Sequence, residues 1–360
     1  MMRPGANAKM VDVWRRLGLA ALMCSAFLSV TWMAAPAQAW DRGNPEIFAI
    51  LPEGSTGPEG LTVGPDGNVY VATFGFNNQG EVGGFGQLFV YDESGKLLRQ
   101  LSIAGTSPHL LGLAFNPRTH DLLVIDFGHG IVLKVNPRTG ASTAFMTLRD
   151  PAKSGLNALT FDKGGNVYVS DSFQGIIWKT SPHGGEGVAW TQSPLLVPFA
   201  STIPGVTAVP PFGANGLQFN TKGDSLFVAN TANDQVIRIP VVNGTPGTAE
   251  IFVNSINGAD GLIIDGHDKI WVAANQGDEI VVMDPTGKAI AKLGDFNGIS
   301  PDGTPQGLLF PASLDFSPDG KLLYVTNLAL DLRVFGLAQS VDSQIVAQTK
   351  RYTISKIRLQ

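Results

Sequence analysis

The sequence predicts an all-β chain, a six-bladed β-propeller whose N-terminal strand closes the last blade. Three observations carry that expectation. First, an apolar strand, a tight turn and a second strand rich in aromatic and β-branched residues recur six times. The copies read GLTVGPDGNVYVAT from Gly60, GLAFNPRTHDLLVID from Gly112, ALTFDKGGNVYVSD from Ala158, GLQFNTKGDSLFVAN from Gly216, GLIIDGHDKIWVAA from Gly261 and SLDFSPDGKLLYVTN from Ser313. Second, these copies start 45 to 58 residues apart, the period of propeller blades. Third, 43 Gly and 23 Pro punctuate short strands, as all-β chains require.

The elements follow in chain order. Arg3, Lys9, Arg15 and Arg16 precede an apolar run over residues 17–35, and Ala37-Gln38-Ala39 is a small-x-small cleavage site before Trp40. Residues 1–39 therefore read as a secretory signal, and residues 40–360 as the exported propeller, periplasmic or extracellular. The competing reading is a membrane anchor, because the run is long for a signal core. Trp14 and Leu17-Gly18 fit twin-arginine export poorly, and Cys24 lacks the small preceding residue of a lipoprotein anchor. After cleavage no stable membrane anchor is expected, since no later segment is apolar for long enough to span a bilayer. Cys24 is the only cysteine, so the mature chain has no disulfide, thiol nucleophile or thiolate ligand. With a net charge of −5 and no basic run beyond the signal, nucleic acid is excluded as a partner.

Blade one is expected to use residues 60–64, 69–73, 87–92 and 97–103, and blade two 112–116, 122–126, 131–136 and 142–148. Residues 176–180, 236–240 and 279–284 are the third strands of blades three to five. Pro-Asp-Gly, Gly-Gly or Lys-Gly between first and second strands supplies the positive φ of a tight turn. Blade six has strands at 313–317 and 322–327, and 352–359 alternates like a third strand. Residues 46–51 (EIFAIL) resemble the fourth strand of blade four (EIFVN, 250–254) and should complete blade six, removing an open edge. Residues 329–351 then form an insertion with helical character.

A repeat shows what each copy carries at one position. The residue before each copy is Glu59, Leu111, Asn157, Asn215, Asp260 and Ala312 in turn. In a propeller these positions surround one mouth of the channel. Four of the six are oxygen donors and none is basic. Two carboxylates about 4 Å apart would repel by about 4 kcal/mol at an effective dielectric near 20, so one is protonated or a cation lies between them. An all-oxygen set of Glu59, Asn157, Asn215 and Asp260 suits Ca2+ best, with Mg2+ or Mn2+ as alternatives. Zn2+ would want His or Cys. The competing reading makes them strand-start residues that cap backbone groups.

The second strands end on Thr73, Asp126, Asp171, Asn230, Ala274 and Asn327, with Asn275 one place beyond. These either orient the ring residues or close turns. Segments 74–86, 201–213, 296–310 and 329–351 should overhang the mouth as walls and lids. His109 and His129 lie on the same face, either as an acid–base pair or as loop residues. No GxSxG, Walker loop or HExxH is present.

On these residues the chain resembles the gluconolactonase, senescence-marker-protein and luciferin-regenerating-enzyme family, with diisopropylfluorophosphatase and the paraoxonases more distant. The resemblance covers the whole mature chain. It implies a divalent cation at the channel mouth, held by a Glu entering the first blade, Asn residues entering two middle blades and an Asp entering the next. Glu59-Gly60, Asn157, Asn215-Gly216-Leu217 and Asp260-Gly261-Leu262 match in that order. There are departures. The family's Glu-Gly-Pro-x-Trp is Glu59-Gly60-Leu61-Thr62-Val63 here. Gly155 and Ala158 stand where the sugar lactonases often carry Arg and Asp, and Leu111 where the paraoxonases carry His. A less polar substrate is therefore expected.

The leading expectation is a secreted, calcium-dependent hydrolase of lactones or related esters, acting on a small molecule, with Asp260 as catalytic base or nucleophile as well as metal ligand. The alternative is a non-enzymatic NHL-like propeller that binds a peptide, glycan or protein. A strictosidine-synthase-like propeller, using a Glu without metal, is a third reading that the four-donor ring disfavours.

Overall fold

The computed structural model describes residues 42–198, 211–335 and 343–359. The proposed signal (1–39) and most of the 201–213 overhang lie outside the described residues. Among the described residues the chain is all-β: four short 3-10 turns and the helix Ser343–Val346 are the only helical pieces. No described helix is long and apolar enough to cross a membrane.

Each repeat opens a four-stranded antiparallel unit. The first unit orders Pro58–Val63, Val69–Thr73, Gln87–Tyr91 and Leu97–Ser102 from inside to outside. These bounds lie within two residues of the expected ones. The strand Glu46–Ile50 pairs antiparallel with Thr353–Arg358, which pairs with Leu322–Asn327 and then Pro311–Phe316. The N-terminal strand thus completes the last unit. Phe48 seals that seam, 7% exposed, with its ring 4.6 Å from Tyr324 and 6.4 Å from Tyr91. Phe48→Ala should cost about 3–5 kcal/mol, as a buried aromatic truncation does, read as a lowered urea midpoint with unchanged slope.

Two details were not legible in sequence. The outer strand of the third unit, Gly184–Gln192, runs parallel to the outer strand of the second, Ser142–Thr147, and joins the two units edge to edge. The overhangs also carry small hairpins, Phe76–Asn77 with Gly80–Glu81, and Phe296–Ile299 with Pro305–Gly307.

The repeated turn has a shared chemistry. Asp66, Asp162 and Asp265 each accept backbone N–H groups of their own turn. Each also accepts from the aromatic residue at the second position of the second strand: Tyr70 at 2.9 Å, Tyr168 at 3.1 Å and Trp271 at 3.2 Å. The Asp–aromatic pairing fixes hairpin register and explains why tyrosine and tryptophan recur there.

The six innermost strands contact one another in a closed cycle, from Pro58–Val63 through Leu110–Phe115, Leu156–Phe161, Ala214–Phe219, Ala259–Ile264 and Pro311–Phe316 back to the first. Their packing needs glycine after the ring residue. A Cβ on Gly60 would stand 2.2 Å from the Leu111 carbonyl oxygen, and one on Gly216 2.4 Å from the Leu262 nitrogen. Both neighbours are backbone and cannot move aside.

Candidate metal centre at the channel mouth

Every innermost strand breaks register at the same place. In the first unit Pro58 faces Thr73 but Leu61 faces Val71, so the inner strand holds one extra residue. The same one-residue bulge falls between Leu110 and Leu113, Leu156 and Leu159, Ala214 and Leu217, Ala259 and Leu262, and Pro311 and Leu314. Each bulge spans a ring residue and the residue after it. A bulge re-aims a side chain and ends regular pairing, and here it does so six times around one axis.

The four expected donors come together. Glu59, Asn157, Asn215 and Asp260 line one small cavity, each between 5 and 8% exposed. Its volume is about 30 Å³, room for an ion with a water, since one water needs about 10–15 Å³. No group of three or more His, Cys, Asp or Glu gathers among the described residues, so the ring draws half its donors from amides.

Its electrostatics are those of a site short of positive charge. Asp260 Oδ2 accepts from Asn275 Nδ2 at 2.9 Å, whereas Asp260 Oδ1 is buried with no hydrogen-bond partner. Among the described residues no side-chain donor reaches the Glu59 carboxylate, while the Thr326 hydroxyl donates to the Glu59 backbone oxygen. Burial, then the Asp260 charge, drives the Glu59 carboxyl well above the usual range. Burial pushes Asp260 up to about 7, with the amides of Asn275 and Asn215 acting against it. The Asn215 amide makes its well-formed bond elsewhere, to Thr231 Oγ1 at 3.0 Å, and acts on Asp260 more weakly than Asn275 does. An orphaned carboxylate oxygen beside a second buried carboxylate, with two amide carbonyls and no basic group, fits a hard divalent cation.

The supporting shell lies one residue later than the strand ends. Thr231 Oγ1 donates to the Ala259 carbonyl at 2.7 Å and Ser172 Oγ to that of Ala214 at 2.6 Å. Each therefore pins the residue just before a ring donor. With Asn275 they form the polar side of the mouth. The same position in the other units carries Phe74, Phe127 and Leu328. The strand-end residues themselves close turns and fasten loops. Asp171 accepts from Gly155 N and Trp178 Nε1, Asn230 donates to the Leu195 and Val197 carbonyls, and Asn327 bonds Leu309 N, Thr353 and Ser355.

Neither histidine lines the cavity. His109 Nδ1 donates to the Phe74 carbonyl at 2.6 Å and its ring stacks on Phe76 at 4.7 Å. His129 Nδ1 bonds Asp126 at 2.8 Å, closing a turn as Gln174 does with Asp171. Both have local structural work.

The cover over the ring comes from the expected overhangs, with Leu328 just before the last of them as the one addition. Phe74, Phe212, Phe310, Leu328, Leu330 and Leu332 complete the cavity wall. Phe310 sits in a left-handed backbone (φ 48°), held by its N–H to Asp278 at 2.7 Å. Such a conformation costs about 1–2 kcal/mol and marks a position fixed by its surroundings. On the other side of the ring a wider cavity of about 670 Å³ opens, reaching Gly112, Gly216, Gly261 and Ser313, each one residue past a ring position.

Comparison with known proteins identifies a family and supports the fold. Residues 104–294, 191 of the 360, match the family model SMP-30/Gluconolactonase/LRE-like region. A second model, Strictosidine synthase-like, N-terminal, matches residues 47–74 alone. A comparison with curated protein sequences finds no match. Among solved structures the chain is similar to a luciferin-regenerating enzyme, at 15% identity and TM-score 0.61, covering 87% of this chain and 95% of that one. It is similar to a gluconolactonase from Xanthomonas campestris at 13% identity and TM-score 0.59, over 89% and 96% of the two chains. It is also similar to a calcium-binding regucalcin from Agrobacterium tumefaciens at 18% identity and TM-score 0.58, over 86% and 95%. At these identities the structures attest the fold alone. The family match over more than half of the chain goes further: this protein belongs to the SMP-30/gluconolactonase/LRE-like family.

Proposed function

We propose that this chain is an exported, calcium-dependent hydrolase of lactones or related esters, built as a six-bladed propeller closed by its N-terminal strand. The observation that carries the reading is the buried, partnerless Oδ1 of Asp260 in a ring of four oxygen donors. Glu59, Asn157, Asn215 and Asp260 would hold the cation, Ca2+ in the first place and Mg2+ or Mn2+ as alternatives. When bound, such an ion polarises a carbonyl and stabilises the developing oxyanion. Asp260 is the base that takes a proton from water, or the nucleophile. Asn275 holds its Oδ2 and leaves Oδ1 for that work. Export rests on the Arg-rich start, apolar run and Ala37-Gln38-Ala39 site. The names gluconolactonase and regucalcin among similar structures support a lactone substrate and calcium.

A second reading, the NHL-like binding propeller, draws on the cavity volume, which admits an ion and a water but no organic substrate without displacing its cover. The strictosidine-synthase-like match is confined to the closing strand and first inner hairpin, and leaves the Asn and Asp donors unaccounted for. A panel of γ- and δ-lactones and aryl esters decides between them. Turnover with Ca2+ that EDTA abolishes and Ca2+ restores is the expected result. No turnover, with saturable capture of one panel member, would favour the binding protein.

A further inference from the structure

Beside the ring, a chain of aromatic contacts runs from the exposed Phe173 to Phe212, one of the residues that line the cavity. Phe173 is 47% exposed. Its ring stacks on Phe212, centroids 6.0 Å apart and 18° between planes, and Phe212 lines the ring cavity. Phe127 meets both edge-on, at 5.7 and 6.3 Å, and meets Phe74 at 5.8 Å. The Phe173 ring also lies against Gly155, two residues before the ring donor Asn157. A Cβ there would come within 2.7 Å of it. No side chain, and so no polar grip, can project from position 155 while Phe173 stays in place. Within the cavity the polar groups are the four donors with Thr231 and Asn275, and the amides of Asn215 and Asn275 are spent on Thr231 and Asp260. A polyhydroxy substrate would bring hydroxyls that this wall cannot satisfy, and each unpaired buried hydroxyl is strongly disfavoured.

We propose that the site takes lactones or esters carrying an apolar arm, alkyl or aryl, laid along Phe173 and Phe212, with the cover of the cavity displaced so that the carbonyl reaches the ring, and discriminates against polyhydroxy lactones. This rests on the hydrolase reading of the ring. The reaction is hydrolysis: the acyl C–O bond breaks, water supplies the new C–O bond, and the alkoxide leaves with a proton.

The test uses the calcium-loaded full chain and a γ-lactone series from γ-butyrolactone to γ-decalactone, beside glucono-δ-lactone, with binding of the matching γ-lactams measured by calorimetry. Expected is a rise in kcat/KM of about fourfold per methylene over the first few carbons, with glucono-δ-lactone at least about a hundredfold below γ-decalactone. Phe173→Ala and Phe212→Ala should each flatten that slope. Phe173 is half exposed, so its variant should keep the melting temperature and separates lost recognition from lost folding. Hydrolysis with no chain-length dependence, or with glucono-δ-lactone preferred, overturns the apolar arm and leaves the hydrolase. Chain-length-dependent lactam binding without hydrolysis of any lactone supports the apolar site and removes the hydrolase reading. Neither hydrolysis nor lactam binding overturns both.

Discussion

Asp260→Asn is expected to make the metal-free protein more stable while removing its response to calcium. Asp260 is 5% exposed, and burial raises its carboxyl to about 7 from an ordinary 3.8. The sign follows from linkage. With the folded value above the unfolded one, the folded state binds more protons between them, so stability falls as pH rises from about 4 to about 7, and the deficit is complete above that. At about pH 8 the shift corresponds to about 4 kcal/mol of strain. An amide cannot ionise, so the substitution lifts much of that strain. It also deletes one of the two formal charges that a cation would meet. Urea unfolding at about pH 8, in EDTA and in millimolar Ca2+, reads both effects. The variant should exceed wild type in EDTA and show no gain with Ca2+. A variant less stable than wild type in EDTA would mean the carboxylate is structurally satisfied.

Calcium affinity should fall steeply on acidification. A cation must displace the proton that Asp260 carries below about 7, and metal binding to a protonated site releases protons. One competing proton weakens binding about tenfold per pH unit below that value. Glu59, also raised and lining the same cavity, steepens the dependence toward two protons. Chelator competition between about pH 5 and pH 8, with calorimetry in buffers of different ionisation enthalpy, gives both slope and proton count. A flat profile would show that the cation avoids these carboxylates.

The ring was legible because six copies let a single column be read down the repeat, and four of its six members converge as oxygen donors in one cavity. The reason they converge was not legible. It lies in the bulge at each inner strand, which periodicity does not announce. The same extra residue displaced the reading of the supporting shell by one place. The strand ends point to Asp171 and Asn230, whereas Ser172 and Thr231 hold the backbone before the donors; only Asn275 stands at the place the sequence indicates. The overhang after the last repeat was expected, but not which of its residues, Leu328, Leu330 and Leu332, turn onto the cavity. The stretch LALDL belongs to no repeat, and its burial follows from tertiary contact alone. His109 and His129 stood on the expected face, yet local carbonyl, aromatic and carboxylate partners engage them.

The most direct measurement is the metal content of purified wild-type protein, before and after chelation, beside Glu59→Gln and Asp260→Asn. The account predicts about one tightly held Ca2+ per chain in the wild type, from one ring with two carboxylates, and loss in both variants. Metal-free wild type whose melting temperature does not move with added Ca2+, or full occupancy retained in both variants, would contradict it.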